Sequence, residues 1–358
     1  MKAPDYMPVW PRAMLQIIHG MDWSLSEVVG TDWYDSGKCA AAVLWSLKNI
    51  DYDVVLPAYI DSTFGIIAAG SRVPKAFGFP NDNSMSIEKP VKDTCDWPRV
   101  QRRLAHASIS HSDPRMGGAL ETIRSVAAVA GQTTPLVATG YLGATAAMLL
   151  FRSSDLFVND MINRADFANE MCRTATDWSL DWIRAQYEAG ANSVTFLIDT
   201  MGTMMMSPLM GERFNLPCLA EMADTIRKEF NQGVWLHIHG NMKTAMGYHY
   251  LQKIIEQTGI EGLHLDDSHS PQWVKENVVD RFQIPACISI DCHKIAAGPV
   301  APIETMVQNA LTTIGDGLGI MMAPCCQVLP HTPNAHFKAW VAATHEQGVY
   351  PLQCASKL

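Results

Sequence analysis

Two short segments carrying histidine and cysteine hold the most specific chemistry in this 358-residue chain. One is V-W-L-H-I-H-G-N over 234–241, which places His237 and His239 two positions apart; the other is A-P-C-C over 323–326. Each closes an apolar, strand-like run. Residues two apart in a strand project to the same side, so both imidazoles can face one point. A thiolate from the second segment then completes a nitrogen, nitrogen, sulfur set. Zinc held by three protein ligands keeps a fourth position for substrate, which is the catalytic pattern rather than the structural one. The competing reading is plain packing, because buried cysteines are mostly inert and a strand-end histidine often only hydrogen-bonds. Two such elements at equivalent strand ends favour the metal.

Elements that bring strand ends together are therefore needed, and the chain supplies them. Strand-like runs lie at 53–57, 135–139, 193–198, 234–238, 262–265, 286–290 and 319–322. Amphipathic helical stretches separate them, notably 169–189, 219–230 and 302–313, with Pro217 and Pro302 near helix starts. Strand-helix alternation predicts an α/β protein with a parallel sheet, here a (β/α)8 TIM barrel. Seven strands are clear, and an eighth is expected in the less regular first 130 residues. The chain reads as a single domain over 1–358, with residues 1 to about 130 as an irregular N-terminal extension or lid. Within it, the proline-rich stretch 71–113 is expected to cover the barrel mouth or to form a subunit contact, as in a homodimer.

Composition narrows the function. Hydrophobic content of 48% with 18% charged residues describes a packed globular protein. No apolar run reaches the roughly 18 residues of a membrane span, and a net charge of −9 disfavours nucleic acid. The N-terminal residues lack the basic start and apolar core of a signal peptide, and the nine cysteines lack framework spacing, so a reducing cytoplasmic setting is expected. Twenty methionines and ten tryptophans suit an apolar ligand surface, although core filling uses them too.

The ordered set of motifs resembles the uroporphyrinogen decarboxylase superfamily, and more narrowly its corrinoid-dependent methyltransferase branch. Y-E-A-G-A-N-S-V-T-F-L-I-D over 187–199 is similar to the family's helix-to-strand step. Met206, Ser207 and Pro208, then Phe214 and Pro217, follow its post-strand pattern. L-H-I-H-G-N over 236–241 resembles the zinc motif L-H-I-C-G-N with His239 in place of cysteine. G-I-M-M-A-P-C-C over 319–326, then P-H-T-P-N over 330–334, resembles the closing A-P-G-C segment and its tail. In that correspondence Cys326 takes the zinc cysteine's place and Cys325 replaces a glycine.

The resemblance implies a barrel that binds zinc through His237, His239 and Cys326 and moves a methyl group to or from a corrinoid, cobalamin, carried by a separate corrinoid protein. Two thiolates would neutralise the metal, whereas one leaves a net positive site suited to an oxyanion leaving group. The expected reaction is O-demethylation of a methoxylated aromatic by cob(I)alamin, with the opposite direction, methylcobalamin to a coenzyme M-like thiol, indicated if Cys325 joins the metal. Porphyrinogen decarboxylation fits less well, because the family's R-Q-A-G-R segment is reduced here to Arg12 in an otherwise apolar stretch. A corrinoid-delivery protein without chemistry is the non-enzyme alternative.

Further strand-end residues are candidates. Asp199 could orient substrate or a ligand, or cap a helix. His264 and Asp266 share parity and could support the zinc histidines from the mouth. His293 and Asp291 could serve the donor oxygen or the corrin, and Asn241 could hold the metal loop. D-S-H over 267–269 imitates the start of a cobalt-ligand loop, but it lacks the final glycine and the surrounding domain.

Overall fold

The computed structural model describes residues 5–71, 87–199 and 202–352. Six strands form one parallel sheet in chain order: β1 Ala138–Tyr141, β2 Thr195–Asp199, β3 Val234–Ile238, β4 Gly262–Leu265, β5 Ala286–Ile290 and β6 Ile320–Pro324. Their near-continuous apolar character follows from burial on both faces, as parallel sheets with helical cover require. β2 and β3 pair Ile198 with His237, and β3 and β4 pair His237 with His264.

Two short N-terminal segments close this sheet into a ring. Val9 bridges Met322 of β6 in parallel, with Trp10 N donating to Met322 O at 2.9 Å. Asp53 N donates to Val9 O at 3.2 Å, and Val55 bridges Leu136 just ahead of β1. Eight parallel segments thus complete the barrel wall, with the eighth at Val9. Residues 1–130, expected to be irregular, contribute these two wall segments and the covering helices Ser36–Ile50 and Pro114–Ala130. Asp35 caps the first helix by accepting from Lys38 N, and Asp113 caps the second from Arg115 N, with Pro114 at its first position.

The other expected helices extend slightly beyond their periodic cores, to Ala165–Ala189, Leu216–Phe230 and Val300–Thr312. In the 71–113 stretch, residues 72–86 lie outside the described residues. The remainder is fastened to the barrel flank, where Arg152 donates to Val91 O and Lys89 to Leu149 O. Among the described residues, no helix is long and apolar enough to cross a membrane.

The barrel interior is filled by side chains, as in other barrels of this architecture. Trp10, Leu56, Val137, Phe196, Trp235, Cys287 and Ala323 form a compact cluster, each from a different wall segment. Trp10 packs on Phe196 at 4.6 Å between ring centroids and edge-on to Trp235 at 5.7 Å. This plug forms the floor beneath the C-terminal mouth.

Candidate metal centre

His237, His239 and Cys326 converge at that mouth, with their ligating atoms all within 4.8 Å of one another. The Nε2 atoms of the two histidines lie 2.9 Å apart. Zinc bonds of 2.0–2.3 Å in a tetrahedron separate ligand atoms by about 3.3–3.8 Å. Small side-chain adjustments therefore bring the three around one ion, and the donor set fits zinc.

What surrounds the set supports that fit. His237 Nδ1 lies 3.3 Å from the backbone oxygen of His264, which fixes the ring and leaves Nε2 for the metal. His239 Nδ1 lies 3.8 Å from an Asp266 carboxylate oxygen. Burial, with the nearby charge of Arg12, holds His237 neutral by pulling its pKa well down. Burial opposes ionisation of the Cys326 thiol, but Arg12 and His239 outweigh it and bring its pKa below the ordinary value. Burial likewise works against a charged His239, yet Cys326 and Asp266 raise its pKa. A neutral imidazole and an easily ionised thiol are what a divalent ion needs, since ligands bind deprotonated.

The backbone around β3 is shaped by two close approaches. Gly240 has φ +106°, and a Cβ there would meet Thr203 Oγ1 at 2.1 Å. A Cβ on Gly202 would meet His239 O at 2.0 Å. Both positions need glycine, which seats the loop after β2 directly on the end of β3 that carries the two histidines.

A cavity of about 530 Å³ opens above the set and is lined mainly by apolar groups, with His237, His239 and Cys326 in its wall. Its polar points include His331 of the closing P-H-T-P-N segment, and four residues without a recognisable sequence motif: Tyr59, Asp61, Thr139 and Tyr141. The signal available was position, since Tyr59 and Asp61 follow the 53–57 run and Tyr141 ends β1. Asp61 accepts from Tyr59 OH at 3.1 Å and from Thr63 N at 2.6 Å. Burial raises the Asp61 pKa above the usual carboxylate range, only partly offset by Arg115 and Thr63. Arg12, 4% exposed, also lines the cavity; its guanidinium lies over the Phe196 ring at 4.7 Å, and Nη1 lies 3.8 Å from Cys326 Sγ.

The remaining candidates fall into two groups. Asp266 lies beside the set, and His264 lies beneath it. Asp266 accepts from Gly240 N at 2.8 Å and Ser268 N at 3.1 Å, clamping the metal loop; burial favours its neutral form, but these bonds and His269 hold its pKa far down. His264 is fully buried, with its ring 4.6 Å from that of His237 and its Nε2 2.9 Å from Pro324 O. It packs in the barrel interior and does not face the mouth. Burial lowers its pKa to about 3, so it stays neutral.

Asp199, His293, Asp291 and Asn241 sit away from the cavity. Asp199 is buried, accepting from Thr145 Oγ1, Gly202 N and Asn215 Nδ2, so it organises the loop after β2. His293 is exposed on helix Cys292–Ala297, and Asp291 caps that helix by accepting from His293 N and Lys294 N. Asn241 is exposed and accepts from Lys243 N at 2.9 Å. Cys325 turns away from the metal set, and its sulfur lies 2.8 Å from that of Cys292. His269 of the decoy motif is a buried structural residue whose Nε2 accepts from Met242 N.

The family described as Uroporphyrinogen decarboxylase (URO-D) matches residues 1–347. Among curated proteins, two described as "Methylcobamide:CoM methyltransferase MtaA" are similar, both from Methanosarcina barkeri. One is 24% and the other, from strain Fusaro, 23% identical over 233 residues, covering 65% of this chain. The chain spans 64% of the length of these relatives. A solved methyltransferase from Methanosarcina mazei shares the fold with a TM-score of 0.77 at 23% identity, over 96% of this chain and 95% of that one.

Proposed function

Because the chain belongs to the uroporphyrinogen decarboxylase family, we propose that it is a zinc-assisted, corrinoid-dependent methyltransferase, taking a methyl group from a methoxylated aromatic. The observation that carries this reading is the His237, His239 and Cys326 set in the wall of a largely apolar cavity. One thiolate on a divalent ion leaves the site net positive, and Cys325 is engaged with Cys292. Zinc bound there would supply Lewis-acid polarisation of the ether oxygen.

The chain's own residues perform the rest. The apolar wall, including Trp182 and Tyr141, holds a flat ring and excludes water. A cob(I)alamin carried by a separate corrinoid protein would be the methyl acceptor, approaching through the open mouth. The carbon–oxygen bond breaks, and its electron pair stays on the aryl oxygen. Asp61, whose pKa burial raises, is the residue that donates a proton to that oxygen and recovers one from water. General acid catalysis of this type contributes about 10²–10⁴-fold. A polyanionic porphyrinogen suits the cavity poorly, because among the described lining residues Arg12 is the sole guanidinium and no lysine joins it.

A second reading, methyl transfer from methylcobalamin to a thiol, is favoured by the name of the Methanosarcina barkeri relatives. Anaerobic visible spectroscopy distinguishes the two. Conversion of cob(I)alamin to methylcobalamin with methoxybenzenes is expected. Absence of that conversion, with methylcobalamin loss on adding a small thiol, would replace the first reading by the second.

A further inference from the structure

Cys325 occupies the position at which the resembling motif A-P-G-C has glycine. The fold gives it a partner. β5 and β6 pair Ile290 with Pro324, and Cys325 N donates to Ile290 O at 3.0 Å. That pairing holds Cys325 beside the start of helix Cys292–Ala297, whose entry is fixed by the Asp291 cap. The two sulfurs lie 2.8 Å apart. A disulfide needs about 2.05 Å, so closure requires a movement of less than about 1 Å. Cys325 is half-buried and reachable from solvent, whereas Cys292 is 4% exposed behind it. Neither sulfur is in the metal-ligating group.

We propose that Cys292 and Cys325 form a reversible dithiol–disulfide modification site, separate from the metal ligands and oxidised by low-molecular-weight disulfides. The Cys325 thiolate attacks one sulfur of the small disulfide, expelling a thiolate that takes up a proton and leaving a mixed disulfide on Cys325. Cys292 loses its proton and attacks the Cys325 sulfur, expelling the second small thiolate, which is protonated in turn. The protein loses two electrons and two protons, and one small disulfide becomes two thiols. Exposure sets the order: Cys325 reacts first, and Cys292 resolves.

The test treats the reduced full-length chain, with zinc added, with oxidised glutathione, followed by peptide mapping under non-reducing conditions. A peptide linking positions 292 and 325 is expected, reversed by dithiothreitol, with Cys326 still free. Cys292→Ser, checked for folding by circular dichroism, should instead retain a stable glutathione adduct on Cys325. Linkage through Cys326, or no linked peptide in the wild-type chain, overturns the proposal. The wild-type map decides the matter even if the variant fails to fold. Because the readout is a covalent bond, it is independent of methyl transfer.

Discussion

Cys325 and Cys326 are neighbours in sequence, yet their sulfurs serve different partners. Cys326 faces His237 and His239, while Cys325 meets Cys292. Both follow the end of β6 at Pro324, and one step along the chain there separates the sulfur beside the two histidines from an independent thiol. That geometry keeps the donor set at two imidazoles and one sulfur.

Loss of a ligand should therefore be decisive. Cys326→Ala and His237→Ala are each expected to lose bound zinc, measured by atomic absorption after dialysis, and to lower methyl transfer about 1000-fold or more. Cys325→Ser should leave zinc content unchanged.

Charge at the site can be altered directly. His239→Cys adds a second thiolate and removes the net positive charge. Zinc should be retained while ether cleavage slows by about tenfold or more, and thiol methylation from methylcobalamin should rise relative to it. Equal loss of both activities would show that the third donor's charge does not set direction.

Asp61 gives the reaction a pH signature. As a proton donor it must be protonated, so kcat/KM for the ether should fall as pH rises through its raised pKa. Asp61→Asn should lower the rate about 10²–10⁴-fold and flatten that limb. The same raised pKa makes a stability contribution that is full below the unfolded carboxyl's pKa. It is lost as pH rises through the folded one.

Support for the metal loop is also measurable. Asp266→Asn keeps the side chain's shape but removes the charge that clamps Gly240 and faces His239. Zinc affinity, read by chelator competition, should weaken about 10–100-fold.

The floor of the barrel carries stability. Trp10→Ala removes a side chain 1% exposed between Phe196 and Trp235, and should cost about 3–5 kcal/mol in denaturant unfolding of the metal-free protein.

Much of the fold was legible because its strands are long apolar runs, and the H-x-H at the end of β3 carried the two histidines of the candidate metal set in plain view. The first two wall segments were less so. The contribution at Val9 amounts to a single bridge with flanking hydrogen bonds, too short for periodicity to register. Parity with Asp266 suggested that His264 faces the mouth, but depth does not follow from parity, and its ring packs against His237 with Nε2 beside Pro324 O. Asp199, Asp291 and Asn241 were visible as strand-end polar residues, and each has a local backbone partner that no sequence pattern announces. Asp61 went unread for the opposite reason: it faces the cavity, but its loop carries no motif.

The ring's closure also orders events in time. Gln16 and Thr332, hydrogen-bonded to each other, stand 316 positions apart in the chain. The seam between Val9 and Met322 therefore joins segments far apart in the chain, and such non-local pairings form late in folding. Cys326 follows directly on β6, the strand that seals the wall against Val9. Zinc bound by the proposed set would thus report that this seam has shut.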